Sequence, residues 1–355
     1  MRHGLRVPRE QAELARLALE EAGWLDRTLR PMVEAHDVVW LLNKVPEGPA
    51  PLGSWTQVTG PFLPAPPPID PHSRLRRSLE EWLEARGVEP DLRRVMLDGL
   101  PQRWERLGDL ALLPSDAFQD VAWKSFVGDE GPWEEVASAL KVQRLGRQAP
   151  VAADGHRSSQ ATLLLGNDGV VDVVDHGVRF LFDATRQMFS SGNVTERHRM
   201  GGLDLDGEVV VDAFAGVGYY TLPMLVRAGA AHVHACEWNP EAAAWLSKAA
   251  EANGVGHRLT VHTGDNRSTL PTLIGLADRV VLGLLPSSEH AWEDARRCLK
   301  PEGGWLHVHM NVEEERVEEW AEQTAARLEG EVHHLERVKW YAPRIRHVVL
   351  DVRCS

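Results

Sequence analysis

From residue 205 onward the chain alternates between short β-branched runs and helical patterns, and this alternation leaves few folds open. It starts with VVVDAFAGVGYYT, Val209 to Thr221. Val209–Ala213 reads as a strand ending at Asp212, Gly216 and Gly218 as a turn, and Tyr219–Arg227 as a helix. The spacing then predicts strands at His232–Glu237, Leu259–Thr263, Arg279–Leu284 and Trp305–Met310. It predicts helices at Pro240–Asn253, Glu289–Leu299 and Glu313–Leu328, and final strands at Val332–Val338 and Val348–Val352. Asn239 caps the helix that Pro240 begins, and Asn253-Gly254 stops it. The expected fold is α/β, a parallel doubly wound sheet.

Upstream the pattern is mixed. Val7–Gly23 reads as a helix and Val38–Asn43 as a strand, making residues 1–45 a small α+β unit. Residues 46–71 hold nine of the 22 prolines and read as an extended linker rather than a docking motif, because no flanking basic pattern supports the latter. Residues 72–185 read as a mixed α/β, largely antiparallel domain that contacts RNA. It begins with a helix capped by Ser73 and closed by Gly87. Val95–Leu97 and Leu110–Leu113 read as strands, Asp116–Phe126 and Trp133–Ala139 as helices, and residues 142–182 alternate as strands. Gly166-Asn167-Asp168-Gly169 is a turn between two of these strands. Residues 186–355 are then the ligand-binding domain.

At 355 residues, 43% apolar and 26% charged, the composition is that of a globular protein. No apolar run reaches membrane-spanning length, and the first residues lack a signal core. The three cysteines, Cys236, Cys298 and Cys354, are far apart, which argues against a disulfide framework or a zinc site and for a cytoplasmic setting. A net charge of −13 excludes a generally basic nucleic-acid binder, but not one with a local basic face.

A doubly wound sheet binds its ligand across the carboxyl ends of its strands. There stand Asp212, Gly216 and Gly218, then Glu237 with Trp238, then Asp265 with Asn266, then Leu285-Pro286-Ser287-Ser288. Glu237, nineteen residues beyond Gly218, suits the two hydroxyls of a ribose. A dinucleotide fingerprint wants a third glycine where Thr221 stands. Asp265-Asn266 suits the amine and a ring nitrogen of adenine. The pattern is that of an S-adenosylmethionine site. His307, His309, His333 and His334 raise the thought of a metal, but a lone strand histidine is usually structural, and no metal is expected.

The stretches DAFAGVGYYTLP, HACEWNPEA, GDNR, ADRVVLGLLPSSEHAW and HVHMNV resemble the tRNA wybutosine-synthesizing protein 2 family, as do RWERLGDLALLP, ALKVQRLG, FDATRQMFSSGNVTERHR and YAPRIRHVVLDV upstream and downstream of them. The resemblance spans about residues 101 to 353. The wider group includes the tRNA guanine-37 N1-methyltransferases, whose small N-terminal domain residues 7–45 resemble more weakly. The resemblance implies transfer of the 3-amino-3-carboxypropyl group of S-adenosylmethionine to C7 of 4-demethylwyosine at position 37 of tRNA(Phe), with release of methylthioadenosine. It implies donor contacts at Ser190, Arg197, Glu237, Asp265 and Asn266, with Arg197 facing the donor carboxylate. Partners are the tRNA(Phe) anticodon loop, with no membrane and no obligate protein. The alternative is guanosine-37 N1-methylation, disfavoured because Asn-Pro-Pro is missing after strand four. Ser287 and Ser288 face either the transferred arm or the base, or simply form a turn, and no general base is named. Arg74, Arg76, Arg77, Arg103, Arg144, Arg147, Lys339, Arg344 and Arg346 are candidates for tRNA contact.

Overall fold

A computed structural model describes residues 2–26, 29, 31–44, 55–60, 70–127, 131–149, 160–189 and 191–355. The chain divides into two compact units, Met1–Asp70 and Pro71–Ser355.

The first unit is a four-stranded antiparallel sheet with one helix. It comprises β1 (Arg2–Pro8), α1 (Ala12–Glu21), β2 (Met32–Val33), β3 (Asp37–Leu42) and β4 (Thr56–Gly60), with strand order β2-β3-β1-β4. Val7, expected in a helix, belongs instead to β1, which is held by β3 on one side and β4 on the other. β4 falls within the stretch expected to be linker; its TQVT run has no proline and adds a sheet edge. The neighbouring proline-rich residues 61–69 lie outside the described residues. Leu5, Val7, Leu19, Val38 and Trp55 form the core.

The second unit opens with α2 (Pro71–Ala85) and α3 (Pro90–Asp98). Ser73 lies inside α2 rather than capping it, because Pro71 takes the first helical position, where it has no amide to lose. Val95–Leu97 is helix, not strand: Pro90 starts the helix, and Met96 and Leu97 are buried while Val95 is exposed, a one-sided burial. β5 (Glu105–Leu107) and β6 (Leu110–Leu113) follow. Asp116–Phe126 is a series of turns instead of the expected helix. Phe118 is left-handed at φ 59°, and the Asp120 carboxylate takes the amides of Ala122 and Trp123. α4 (Trp133–Leu140), β7 (Arg144–Arg147) and β8 (Thr162–Leu165) complete a sheet ordered β5-β6-β7-β8, with only β6 and β7 parallel. The Gly166–Gly169 turn leads from β8 into β9 (Val170–Asp175), which pairs with β10 (Val178–Asp183) and not with β8. The hairpin turn is His176-Gly177, both at positive φ.

Next come α5 (Val194–Gly201), β11 (Val209–Asp212), α6 (Thr221–Val226), β12 (His232–Glu237), α7 (Pro240–Ala252) and β13 (Leu259–Thr263). α8 (Asn266–Thr269), β14 (Arg279–Leu282), α9 (Trp292–Cys298), β15 (Gly304–Glu313), α10 (Val317–Arg327), β16 (Gly330–Ala342) and β17 (Ile345–Cys354) end the chain. The sheet runs β13-β12-β11-β14-β15-β17-β16. It is parallel as far as β15, but β17 is antiparallel to both of its neighbours. The cause is the two-residue connection from β16, with Arg344 at φ 62°, which is too short for a parallel crossover. One hydrophobic core joins Leu107, Leu110, Phe180 and Phe182 to Val210, Tyr220 and Leu246, so residues on both sides of position 185 share their burial.

Candidate functional site

The strand order reverses at β11, whose neighbours are β12 and β14. Over the carboxyl ends of β11 to β14 opens a cavity of about 370 Å³, lined among others by Phe214, Gly216, Tyr219, Glu237, Asp265 and Asn266. Glu237 ends β12, and its carboxylate holds the glycine turn: Oε2 accepts from the Gly216 amide at 2.6 Å and Oε1 from the Asn239 amide at 2.7 Å. A carboxylate lining the cavity at the end of the second strand is the group that suits a vicinal diol. Asn239 in turn caps α7 by accepting from the Glu241 amide at 2.9 Å.

Asp265 caps α8, accepting from the Arg267 amide at 2.9 Å. The Arg267 guanidinium lies on the same carboxylate and holds it ionised, with a pKa lowered to about 2. Asn266 is buried and lines the cavity, and its Nδ2 has no hydrogen-bond partner among the described residues. An unpaired buried donor beside a carboxylate is the complement of a ring nitrogen beside an amine. An adenosine therefore fits the donor set that this cavity offers.

Other expected residues stand behind the cavity wall. Gly216 has φ 56° and lines the cavity, whereas Gly218, at φ 97°, packs beneath it. A Cβ on Gly218 would lie 2.7 Å from both Leu222 and Leu246. Asp212 is fully buried; it accepts the Thr221 hydroxyl at 2.8 Å and the Phe214 amide at 3.2 Å, tying strand end to helix start. Arg197 is 3% exposed and lies against Asp175, with Nε at 2.8 Å and Nη2 at 2.7 Å, and over the Phe189 ring. Ser288 is buried and its Oγ accepts from Trp292 Nε1 at 3.0 Å, while Ser287 Oγ accepts from the Glu289 amide at 3.2 Å. Ser190 lies outside the described residues. His307 is bonded to Asp351 and Arg279, and no group of three or more metal-ligating side chains is gathered among the described residues. Trp238, expected at the strand end beside Glu237, lines the cavity, as do Phe214, Tyr219 and His290, which reasoning from the sequence did not assign. The aromatic inside the D-x-F-x-G-x-G run was the available signal.

Burial pushes the Asp212 carboxyl up to about 6, against the Thr221 and Phe214 hydrogen bonds, and nearby Glu237 adds to the rise. Its folded pKa exceeds the ordinary 3.8, so the folded state holds a proton that the unfolded chain releases. Stability contributed at this site therefore falls as pH rises from about 4 to about 6, by up to about 3 kcal/mol. Asp212→Asn removes that titration. Urea unfolding should show the variant gaining about 2–3 kcal/mol on the parent protein between about pH 4 and about pH 8, over any constant offset from the amide. A pH-independent difference would mean that Asp212 titrates normally.

Sheet order, single antiparallel strand and cavity position define a class I methyltransferase fold. Residues 172–336 match the family model described as TRM5/TYW2 methyltransferase domain, and residues 86–169 match the TYW2 N-terminal domain. The tRNA wybutosine-synthesizing protein 2 homolog of Homo sapiens is 39% identical, over 82% of this chain and 79% of that protein. The Arabidopsis thaliana protein tRNA wybutosine-synthesizing protein 2/3/4 is 47% identical over 80% of this chain, which spans only 29% of that protein. The crystal structure of Pyrococcus horikoshii TYW2 in complex with MeSAdo is 29% identical and superposes with TM-score 0.65, covering 78% of this chain and 98% of that one. The chain belongs to the tRNA wybutosine-synthesizing protein 2 family. Trm5b of Pyrococcus abyssi, 22% identical with TM-score 0.62 over 99% of both chains, shares the fold. Among the described residues no helix is long and apolar enough to cross a membrane.

Proposed function

We propose that this chain transfers the 3-amino-3-carboxypropyl group of S-adenosylmethionine to C7 of 4-demethylwyosine at position 37 of tRNA(Phe), releasing methylthioadenosine, in the cytoplasm. The carrying observation is a donor frame of Glu237, Asp265 and Asn266 around one cavity, combined with a strand-four loop, Leu284–Ser288, that holds no carboxylate or amide. Amine methylation needs such a group to grip the acceptor nitrogen; attack by an electron-rich carbon does not. S-adenosylmethionine supplies an electrophilic γ-carbon beside its sulfonium. Glu237 takes the ribose hydroxyls, Asn266 and Asp265 the adenine edge, and Gly216 keeps the turn close to the nucleoside. Arg197 and Ser190 are assigned to the methionine arm. Arg197 then shares its guanidinium between Asp175 and the donor carboxylate.

Within the second unit we assign residues 72–185 to tRNA contact and residues 186–355 to the donor. Of the candidate arginines, Arg77, Arg103 and Arg344 are exposed. By contrast Arg74 donates to the Ala139 carbonyl, and Arg76, Arg144 and Arg346 pair with Asp98, Asp109 and Glu314. The first three are the better phosphate contacts.

The test supplies two tRNAs, one bearing the tricyclic base and one bearing guanosine at position 37, with donor labelled separately in the methyl and the carboxypropyl carbons. Carboxypropyl label should enter the tricyclic tRNA at one group per molecule. Methyl label entering the guanosine tRNA would overturn the reading in favour of N1-methylation.

A further inference from the structure

One face of the sheet carries a polar stripe that changes character along its length. His307, His309 and Asn311 alternate on β15, and Asp351 and His347 stand opposite on β17. Toward the amino end of β15 the groups are paired: His307 bonds Asp351 at 2.6 Å and Arg279 at 2.7 Å. Toward the carboxyl end the pairing stops. His309 and His347 share one hydrogen bond of 3.1 Å. His309 Nε2, His347 Nδ1 and both polar atoms of the Asn311 amide are buried with no partner among the described residues. Four such atoms in one cluster are costly, at about the desolvation of each group.

The cluster adjoins the donor cavity. The His309 ring lies 4.9 Å from the ring of Tyr220. Tyr220 comes within 3.1 Å of a Cβ built on Gly283, a residue of the cavity wall. The Asn311 backbone N–H donates to the Pro286 carbonyl at 2.9 Å. The strand-four loop therefore spans from the cavity, at Leu284, to this cluster. Whichever histidine donates in the shared bond, one outer imidazole edge is a donor and the other an acceptor. Burial holds both imidazoles neutral, with His347 lowered to about 4.

We propose that the unpaired edges of His309, Asn311 and His347 form the subsite that receives and reads the acceptor base. This rests on the reaction proposed above. A flipped purine-derived tricycle offers in-plane donors and acceptors, and an amide flanked by two imidazole edges matches them. The chemistry also predicts selectivity, because a site built of buried polar groups rejects a base that leaves them unpaired.

Asn311→Leu replaces the orphaned amide by an apolar group of similar size, which a merely structural site tolerates or prefers. Two tRNAs are compared by equilibrium binding, one with the tricyclic base at position 37 and one with guanosine there. The parent protein should favour the first, and Asn311→Leu should cut that preference about tenfold or more, with Tm not lowered and S-adenosylmethionine affinity unchanged. If Asn311→Leu melts early, His309→Phe, which keeps a ring against Tyr220, carries the same comparison. An unchanged preference in the variant overturns the subsite and leaves these atoms to ordered water. A parent protein without preference overturns it too. Loss of carboxypropyl transfer with the preference intact would instead remove the reaction and leave the subsite standing.

Discussion

Glu237→Ala should weaken S-adenosylmethionine binding by about 100-fold or more and leave tRNA affinity within about twofold. The carboxylate holds the turn and faces the cavity at once. Its bonds to the Gly216 and Asn239 amides set the path of the glycine turn, and a carboxylate at this strand end suits both ribose hydroxyls. Hydrogen bonds to a charged group contribute about 1.5–3 kcal/mol each, so losing two costs about 3–6 kcal/mol of donor binding. Glu237→Gln keeps one acceptor and should fall between the two, near tenfold. Calorimetry with the donor and filter binding with tRNA check this separately. Parallel losses in both would place Glu237 in the fold rather than the site.

The course of the parallel sheet was readable because its signals are local. Three β-branched residues before Asp212 make a strand, two glycines at positive φ make the turn, and Asn239-Pro240 starts α7 where the sequence says. The place of Glu237, at the end of β12 and lining the cavity, was readable from its spacing after the glycine turn. Which way a side chain faces was not. Asp212 and Gly218 sit in the same short motif as Gly216, yet only Gly216 lines the cavity, because the strand end turns Asp212 inward onto Thr221. Long-range partners were equally hidden. Nothing near Arg197 marks Asp175, which a hairpin delivers from 22 residues away. The direction of β17 is a further case: alternation shows a strand, while the two-residue link after Ala342 is what sets its sense.

Arg199→Met should destabilise the second unit by about 3–5 kcal/mol, lowering Tm by about 6–15 °C. Arg199 on α5 forks onto two carboxylates. It reaches Glu196 with Nε and Nη2, both at 2.8 Å, and Asp351 on β17 with Nη1 at 2.7 Å. Glu196 is wholly buried and Asp351 is 4% exposed, so neither finds solvent once the cation is gone. Burial already pushes the Glu196 carboxyl up, opposed chiefly by Arg199. Asp351 is driven upward by burial, but His307 and Arg199 outweigh this and hold it well below the usual range. Removing Arg199 raises the Glu196 carboxyl further and lets that of Asp351 rise from its lowered position. At Glu196 the folded variant then keeps a proton that the unfolded chain releases, so its deficit against the parent protein should widen as pH rises from the ordinary carboxylate range toward neutrality. Pairing the change with Glu196→Gln removes one stranded charge and should recover part of the loss. Asp351 would still keep its His307 partner. The same network ties α5 to the sheet beside Arg197, so donor binding should weaken along with stability. Melting within about 1 kcal/mol of the parent protein, or a deficit independent of pH, would show that water reaches these carboxylates and that α5 is held by its apolar contacts alone.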